Sequence, residues 1–159
     1  TDVLIIDDDE QVCITLAKVF NRMGYATRYQ QTLRDGLADI FSDTIAVVFL
    51  DVNLPDGNGL EAIKTIQQHP DSPEIIIITG NEDVDGAELA MRSKAWDYIS
   101  KTGSYKKFKF ALSRALEYRK QKQSVQSENT IKRKMIVNET RFIKSICNRL
   151  KFTGTYSIK

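Results

Sequence analysis

The chain has 159 residues, 42% hydrophobic and 28% charged, enough for one packed core and an appendage and too few for two full domains. No apolar stretch approaches the ~20 residues that span a bilayer and no basic, apolar leader precedes the first predicted strand, so a soluble, cytoplasmic protein is expected. The net charge of +2 conceals a split: residues 1–103 hold 8 Lys/Arg against 18 Asp/Glu, net −10, and residues 104–159 hold 15 against 3, net +12. That is the pattern of an acidic domain followed by a basic extension. The extension could contact nucleic acid or an acidic partner, or be a solvated helix complementing its own domain. The second reading is favoured, because no aromatic or Gly-rich recognition pattern accompanies the charge.

In chain order, Val3–Ile6 predicts a strand running into Asp7-Asp8-Asp9. Val12, Leu16, Val19, Phe20 and Met23 recur at helical spacing, with Gly24 as the stop. Either Asp9 or Glu10 can cap that helix. A short strand over residues 25–29 leads to a helix carrying Leu33, Leu37, Ile40 and Phe41. The run 45–50 reads as a strand buried on both faces; it stops at Asp51 and is followed by the turn residues 52–57. Leu60, Ile63 and Ile66 mark a third helix, which residues 69–73, with Pro70 and Pro73, bring to an end. Ile75–Ile78 then forms a strand ending at Thr79.

A weaker fourth helix is expected over 83–93, and a fifth strand over 98–100, ending in Lys101. Phe108, Ala111, Leu112, Ala115 and Leu116 form the inner stripe of a fifth helix. This alternation predicts a doubly wound five-stranded parallel sheet with helices on both faces. Residues 1–120 would form that domain. Residues 121–159 would form a basic helix extension or linker, followed by an amphipathic helix with the stripe Phe142, Ile143, Ile146, Cys147 and Leu150. One such helix makes no core, so it must dock on the domain, pair with another copy, or belong to a domain this chain does not complete. Cys13 and Cys147 fall within helical apolar patterns and are expected to be buried free thiols.

In such a sheet the C-terminal strand ends meet along one edge, which gathers Asp7, Asp8, Asp51, Thr79 and Lys101. Three carboxylates so close repel one another unless a cation is present. A hard divalent ion with oxygen ligands resolves the conflict, and Mg²⁺ suits few carboxylates with room for water and phosphate oxygens. Lys101 adds a point charge for a phosphoryl oxygen, and Thr79 a hydroxyl donor. His69 is expected to be inert and Trp96 to serve packing.

The motifs Ile5-Ile6-Asp7-Asp8-Asp9, Leu50-Asp51-Val52-Asn53-Leu54-Pro55-Asp56-Gly57-Asn58-Gly59, Ile78-Thr79-Gly80 and Trp96-Asp97-Tyr98-Ile99-Ser100-Lys101 closely resemble the receiver domain of bacterial two-component response regulators over residues 2–118. The resemblance implies a flavodoxin-like strand order 2-1-3-4-5 and a phosphoryl group accepted on Asp51 from a histidine kinase. It implies Mg²⁺ (or Mn²⁺) held by Asp8, Asp51 and the backbone carbonyl of Asn53, with Asp7 acting through metal-bound water. Lys101 would pair with Asp51 and then with the phosphoryl group, Thr79 would bond a phosphoryl oxygen, and Tyr98 would swing inward or remain an ordinary half-buried aromatic. Asp56-Gly57 and Asn58-Gly59 are given a turn role only. Asn53 and Asn81 occupy positions where the family tunes phosphoryl hydrolysis.

Two departures stand out: Thr102-Gly103 replaces the usual proline after the lysine, and Lys94 replaces the usual glycine before the fifth strand. Both put local loop geometry in doubt.

The residues 95–98 and the basic helix beyond Arg114 look most like receivers of sigma-54-dependent, NtrC-type transcription activators. That implies a switch in transcription control that dimerises through the helix 4–strand 5–helix 5 face or the C-terminal helix. It would reach DNA only through a missing output domain and would not contact membrane. The chain has no Gly-x-x-x-x-Gly-Lys-Ser/Thr loop and so is no P-loop ATPase itself. The principal alternative is a receiver-like interaction module independent of phosphate. A haloacid dehalogenase-type phosphatase is disfavoured because Asn53 stands where a second acid is needed.

Overall fold

The computed structural model describes residues 2–80, 88, 90–92, 94–102 and 104–152. The elements are β1 (Val3–Ile6), α1 (Glu10–Arg22), β2 (Thr27–Gln30), α2 (Leu33–Ser42), β3 (Val47–Asp51), β4 (Asn53–Leu54), β5 (Gly57–Asn58), α3 (Gly59–Gln67), β6 (Glu74–Thr79), β7 (Asp97–Ser100) and α4 (Tyr105–Phe152). Five of the strands form one parallel sheet in the order β2-β1-β3-β6-β7, the expected 2-1-3-4-5. The β4–β5 hairpin is a separate antiparallel pair. The fourth predicted helix lies largely outside the described residues; Glu88 and Ala90–Arg92 are helical.

Strand residues alternate between two cores because side chains along a strand point to opposite faces. Val3, Ile5, Val47, Phe49, Ile76 and Ile78 pack with Cys13, Leu16 and Phe20 of α1 and with Phe108, Leu112 and Ala115 of α4. The Phe20 and Phe49 rings stack at 4.8 Å. Leu4, Ile6, Val48, Leu50, Ile75 and Ile77 pack with Ile40 of α2 and with Leu60, Ile63 and Ile66 of α3. Burial on both faces explains the continuous apolar runs.

Each early helix begins on a side-chain cap. Asp9 accepts from the N–H groups of Gln11 and Val12, Thr32 from Asp35, and Asn58 from Leu60. Lys94 keeps the left-handed backbone that its replacement of glycine put in doubt, with φ 64°. Its N–H donates to Met91 O at 3.0 Å and that of Ala95 to Ala90 O at 2.9 Å, the pairing that closes a helix C-terminus. The turn therefore survives with a lysine at its strained position. After Lys101, the Ser100 and Thr102 hydroxyls pair at 2.7 Å where proline is usual.

Of the two readings of the C-terminal region, helix extension or linker, the structure shows the extension, and it runs on through the predicted amphipathic helix: α4 is one helix of 48 residues. No Gly or Pro occurs between Ser104 and Phe152. The hydroxyls that make the segment look linker-like are satisfied inside the helix, Ser124 donating to Lys120 O, Ser127 to Gln123 O and Thr130 to Gln126 O.

The chain divides into two units, Thr1–Arg119 and Lys120–Lys159. In the first, the inner stripe of α4 ends at Arg119, a buried guanidinium that donates to Ser72 O at 2.8 Å and Asp71 O at 3.2 Å. In the second, residues 120–148 are exposed apart from half-buried Lys122. Cys13 is buried as expected, but Cys147 is exposed, because the apolar stripe it belongs to covers no core. Among the described residues, no helix is long and apolar enough to cross a membrane.

Candidate functional site

Parallel strands that end in register bring their exit residues together. Asp7 follows β1, whose Ile6 pairs with Leu50, and Asp51 comes next on β3. Asp51 pairs with Ile78, so Thr79 stands one residue beyond it on β6. Thr79 pairs in turn with Ser100, and the Lys101 N–H donates to Thr79 O at 2.7 Å. The ladder thereby aims Lys101 back over the strand ends.

Lys101 Nζ lies 2.9 Å from Asp51 Oδ2, to which it donates a hydrogen bond, and 2.8 Å from Asp7 Oδ2. The second contact is an ion pair by distance without the angles of a hydrogen bond, and Asp7 Oδ2 has no hydrogen-bond partner. Asp7 Oδ1 accepts from the Asp9 N–H at 2.9 Å. Asp7 is fully buried and Asp51 is 3% exposed, whereas Asp8 faces solvent. Carboxylate oxygens of Asp7, Asp8 and Asp51 lie within 4.8 Å of one another.

Burial raises the Asp7 pKa, an effect that the Lys101 charge and the Asp9 amide only partly oppose. Burial by itself would lower Lys101, but the two carboxylates outweigh it and the ammonium is held more firmly. Burial, with the Asp7 charge second, pushes the Cys13 thiol up to about 12; its Sγ donates to Asp7 O at 3.3 Å. That thiol is inert packing at neutral pH. A buried carboxylate oxygen whose partner is the Lys101 ammonium alone, within a three-acid cluster, belongs to a donor set that suits a hard cation.

Thr79 is buried at the strand end. Asn53 opens β4 two residues past Asp51 and pairs with Asn58. Tyr98 pairs with Ile77 and is half-buried against the α2–α3 face of the sheet. Asn81 lies outside the described residues.

Two residues gain a sharper role than turn chemistry assigns. A Cβ on Gly59 would collide with the Asp51 carbonyl oxygen, so only glycine lets α3 start against the acidic strand end. The Asp56 carboxylate accepts from the N–H groups of Leu33 and Arg34 at 2.8 and 2.9 Å, bonds across 22 to 23 residues that no local pattern announces.

A doubly wound sheet with three acids and a bridging lysine at its C-terminal edge has the charge and geometry to hold a cation beside a phosphoryl group, as receiver-type domains do. The family model for the response regulator receiver domain matches residues 3–113, and the chain belongs to that family. It is similar to the photosynthetic apparatus regulatory protein RegA of Rhodobacter capsulatus, with 30% identity over 62% of this chain and 54% of RegA. It is also similar to the DNA-binding transcriptional regulator NtrC of Proteus hauseri, with 32% identity over 82% of this chain and 28% of NtrC. The solution structure of the beryllofluoride-activated NtrC4 receiver domain dimer superposes with a TM-score of 0.71 at 30% identity, covering 74% of this chain and 98% of that one. The likeness to NtrC-type receivers thus holds in sequence and in fold. The chain spans about half of RegA and less than a third of NtrC.

Proposed function

We propose that Asp51 accepts a phosphoryl group from the phosphohistidine of a sensor kinase, and that Mg²⁺ is held by Asp8, Asp51 and the backbone carbonyl of Asn53, with Asp7 acting through water. The single observation that carries this reading is the position of Lys101 Nζ, 2.8 Å from Asp7 Oδ2 and 2.9 Å from Asp51 Oδ2. The ion, when bound, offsets the mutual repulsion of the carboxylates and the charge of the incoming phosphoryl oxygens.

The step itself asks little of strong bases. An Asp51 carboxylate oxygen forms a P–O bond as the P–N bond to the kinase histidine breaks, and the histidine nitrogen keeps the electron pair; positioning and charge neutralisation supply the rate. Lys101 then exchanges its bond to Asp51 for one to a phosphoryl oxygen, the Thr79 hydroxyl donates to another, and Tyr98 turns inward behind it. Residues 1–120 serve as the receiver. Residues 121–159 serve as a basic linker helix toward an output domain, through which the switch acts in transcription and reaches DNA. Dimerisation through the β7–α4 side or the exposed part of α4 is the means of output; its support is the apolar surface left exposed at Met135, Phe142 and Ile143 and the dimeric state of the NtrC4 receiver.

Incubation with acetyl phosphate and Mg²⁺ is expected to add the mass of one phosphoryl group, absent in Asp51→Asn and without the cation. A folded protein that gains no mass would reject the proposal and leave the phosphate-independent interaction module.

A further inference from the structure

We infer that Asp56 is a positioning residue for the cation site: by clamping the β4–β5 hairpin to the N-terminus of α2, it sets where the Asn53 carbonyl stands relative to Asp7 and Asp8. The inference rests on the metal ligands proposed above. The hairpin that begins at Asn53 has only two residue pairs, Asn53 with Asn58 and Leu54 with Gly57, too few to hold its own geometry. Its stiffness must come from outside.

Asp56, in the hairpin turn, accepts from the N–H of Leu33 through Oδ1 and of Arg34 through Oδ2, two amides that the helix leaves without internal partners. Gly57 sits so close that a Cβ there would lie 2.9 Å from Leu33 Cδ2. The same segment is fastened on its other side to the acidic pair. The Asp7 N–H donates to Gln30 O at 3.0 Å, Gln31 Nε2 donates to Asp8 O at 3.4 Å, and a Cβ on Gly36 would overlap the Ile6 side chain. Residues 30–36 thus form a brace, with Asp7 and Asp8 tied to one side and the hairpin to the other. Thr32 already caps α2 by accepting from the Asp35 N–H, so the Asp56 bonds join two elements rather than merely starting one.

The test is a Mg²⁺ titration followed by amide NMR on the full chain, with melting temperatures measured in parallel. Wild type is expected to bind saturably and Asp8→Asn not to. Asp56→Ala should raise the Kd roughly tenfold, the low end for loss of a residue that orients a metal ligand, and Asp56→Asn, which keeps one acceptor, should fall between. Ile40→Val, in the core at the far end of α2, should lower the melting temperature with the Kd unchanged. By reciprocity, Mg²⁺ should slow hydrogen exchange at the Leu33 and Arg34 amides in wild type and not in Asp56→Ala. Wild-type Kd values in both Asp56 variants, with only the melting temperature reduced, would overturn the clamp while leaving the metal site intact. Absence of saturable binding in wild type, or its persistence in Asp8→Asn, would overturn the metal site and the clamp with it.

Discussion

Asp7 carries a charge that its surroundings oppose. It is fully buried, one carboxylate oxygen has no hydrogen-bond partner, and burial raises its pKa. An acid whose folded pKa lies above 3.8 loses stability as pH rises from that value through the folded one. Asp7→Asn removes the cost, while Lys101 keeps Asp51 as its partner. The variant should therefore be more stable than wild type by about 1 kcal/mol at pH 7 in EDTA and should lose the stabilisation that Mg²⁺ confers on wild type, both read from thermal melts. Asp56 has the opposite sign. The Arg34 and Leu33 amides hold its carboxyl below 3.8, so its contribution is complete above that pH and is lost as pH falls through the folded value. The melting-temperature gap between wild type and Asp56→Ala should be constant at higher pH and narrow as pH falls below 3.8. Asp7, Asp51 and Lys101 are legible in the sequence because each stands at the end of a predicted strand; the tertiary roles of Asp56 and Gly59 are not, because their partners are remote in the chain or are backbone atoms.

Lys94 shows what an element tolerates at its boundary. Its left-handed backbone costs a residue with a Cβ about 1 kcal/mol, a cost that glycine avoids. Lys94→Gly should raise the unfolding free energy by up to that amount, read as a higher urea midpoint with an unchanged m-value. The central strands follow from their continuous apolar runs, since both faces of the sheet are covered, and the first three helices from apolar residues at helical spacing. The long helix is one of two readings that composition allows, because residues 119–134 have the polarity of a linker as much as of a solvated helix extension. They remain helical because no Gly or Pro interrupts them and Lys, Arg, Gln and Glu, which favour helix, recur among them; their hydroxyls are satisfied by the preceding turn. Arg119 marks where the packed part ends, a buried cation that composition assigns to the basic extension.

At the scale of the molecule, an acidic receiver continues into a basic helix whose apolar residues remain uncovered, with Met135, Phe142 and Ile143 59%, 67% and 60% exposed. A helix with such residues and no core of its own needs a partner. If the partner is a second copy, light scattering should report a dimer for the full chain and a monomer for the double variant Phe142→Glu/Ile143→Glu, with the acetyl phosphate reaction unchanged; a monomeric wild type, phosphorylated or not, would reject that mode of output. The sequence by itself determined the two-faced core and the acid–lysine edge, because buried parallel strands must be apolar throughout and chemistry must then lie where they stop; its resemblance to receivers implied the strand order. Only the tertiary structure decided that Lys101 bridges Asp7 and Asp51, that Asp56 ties the hairpin to α2, and that Gly59 makes room for the Asp51 carbonyl. Those are distances between segments far apart in the chain, set by how helices pack on the sheet, and no local pattern of residue types encodes them.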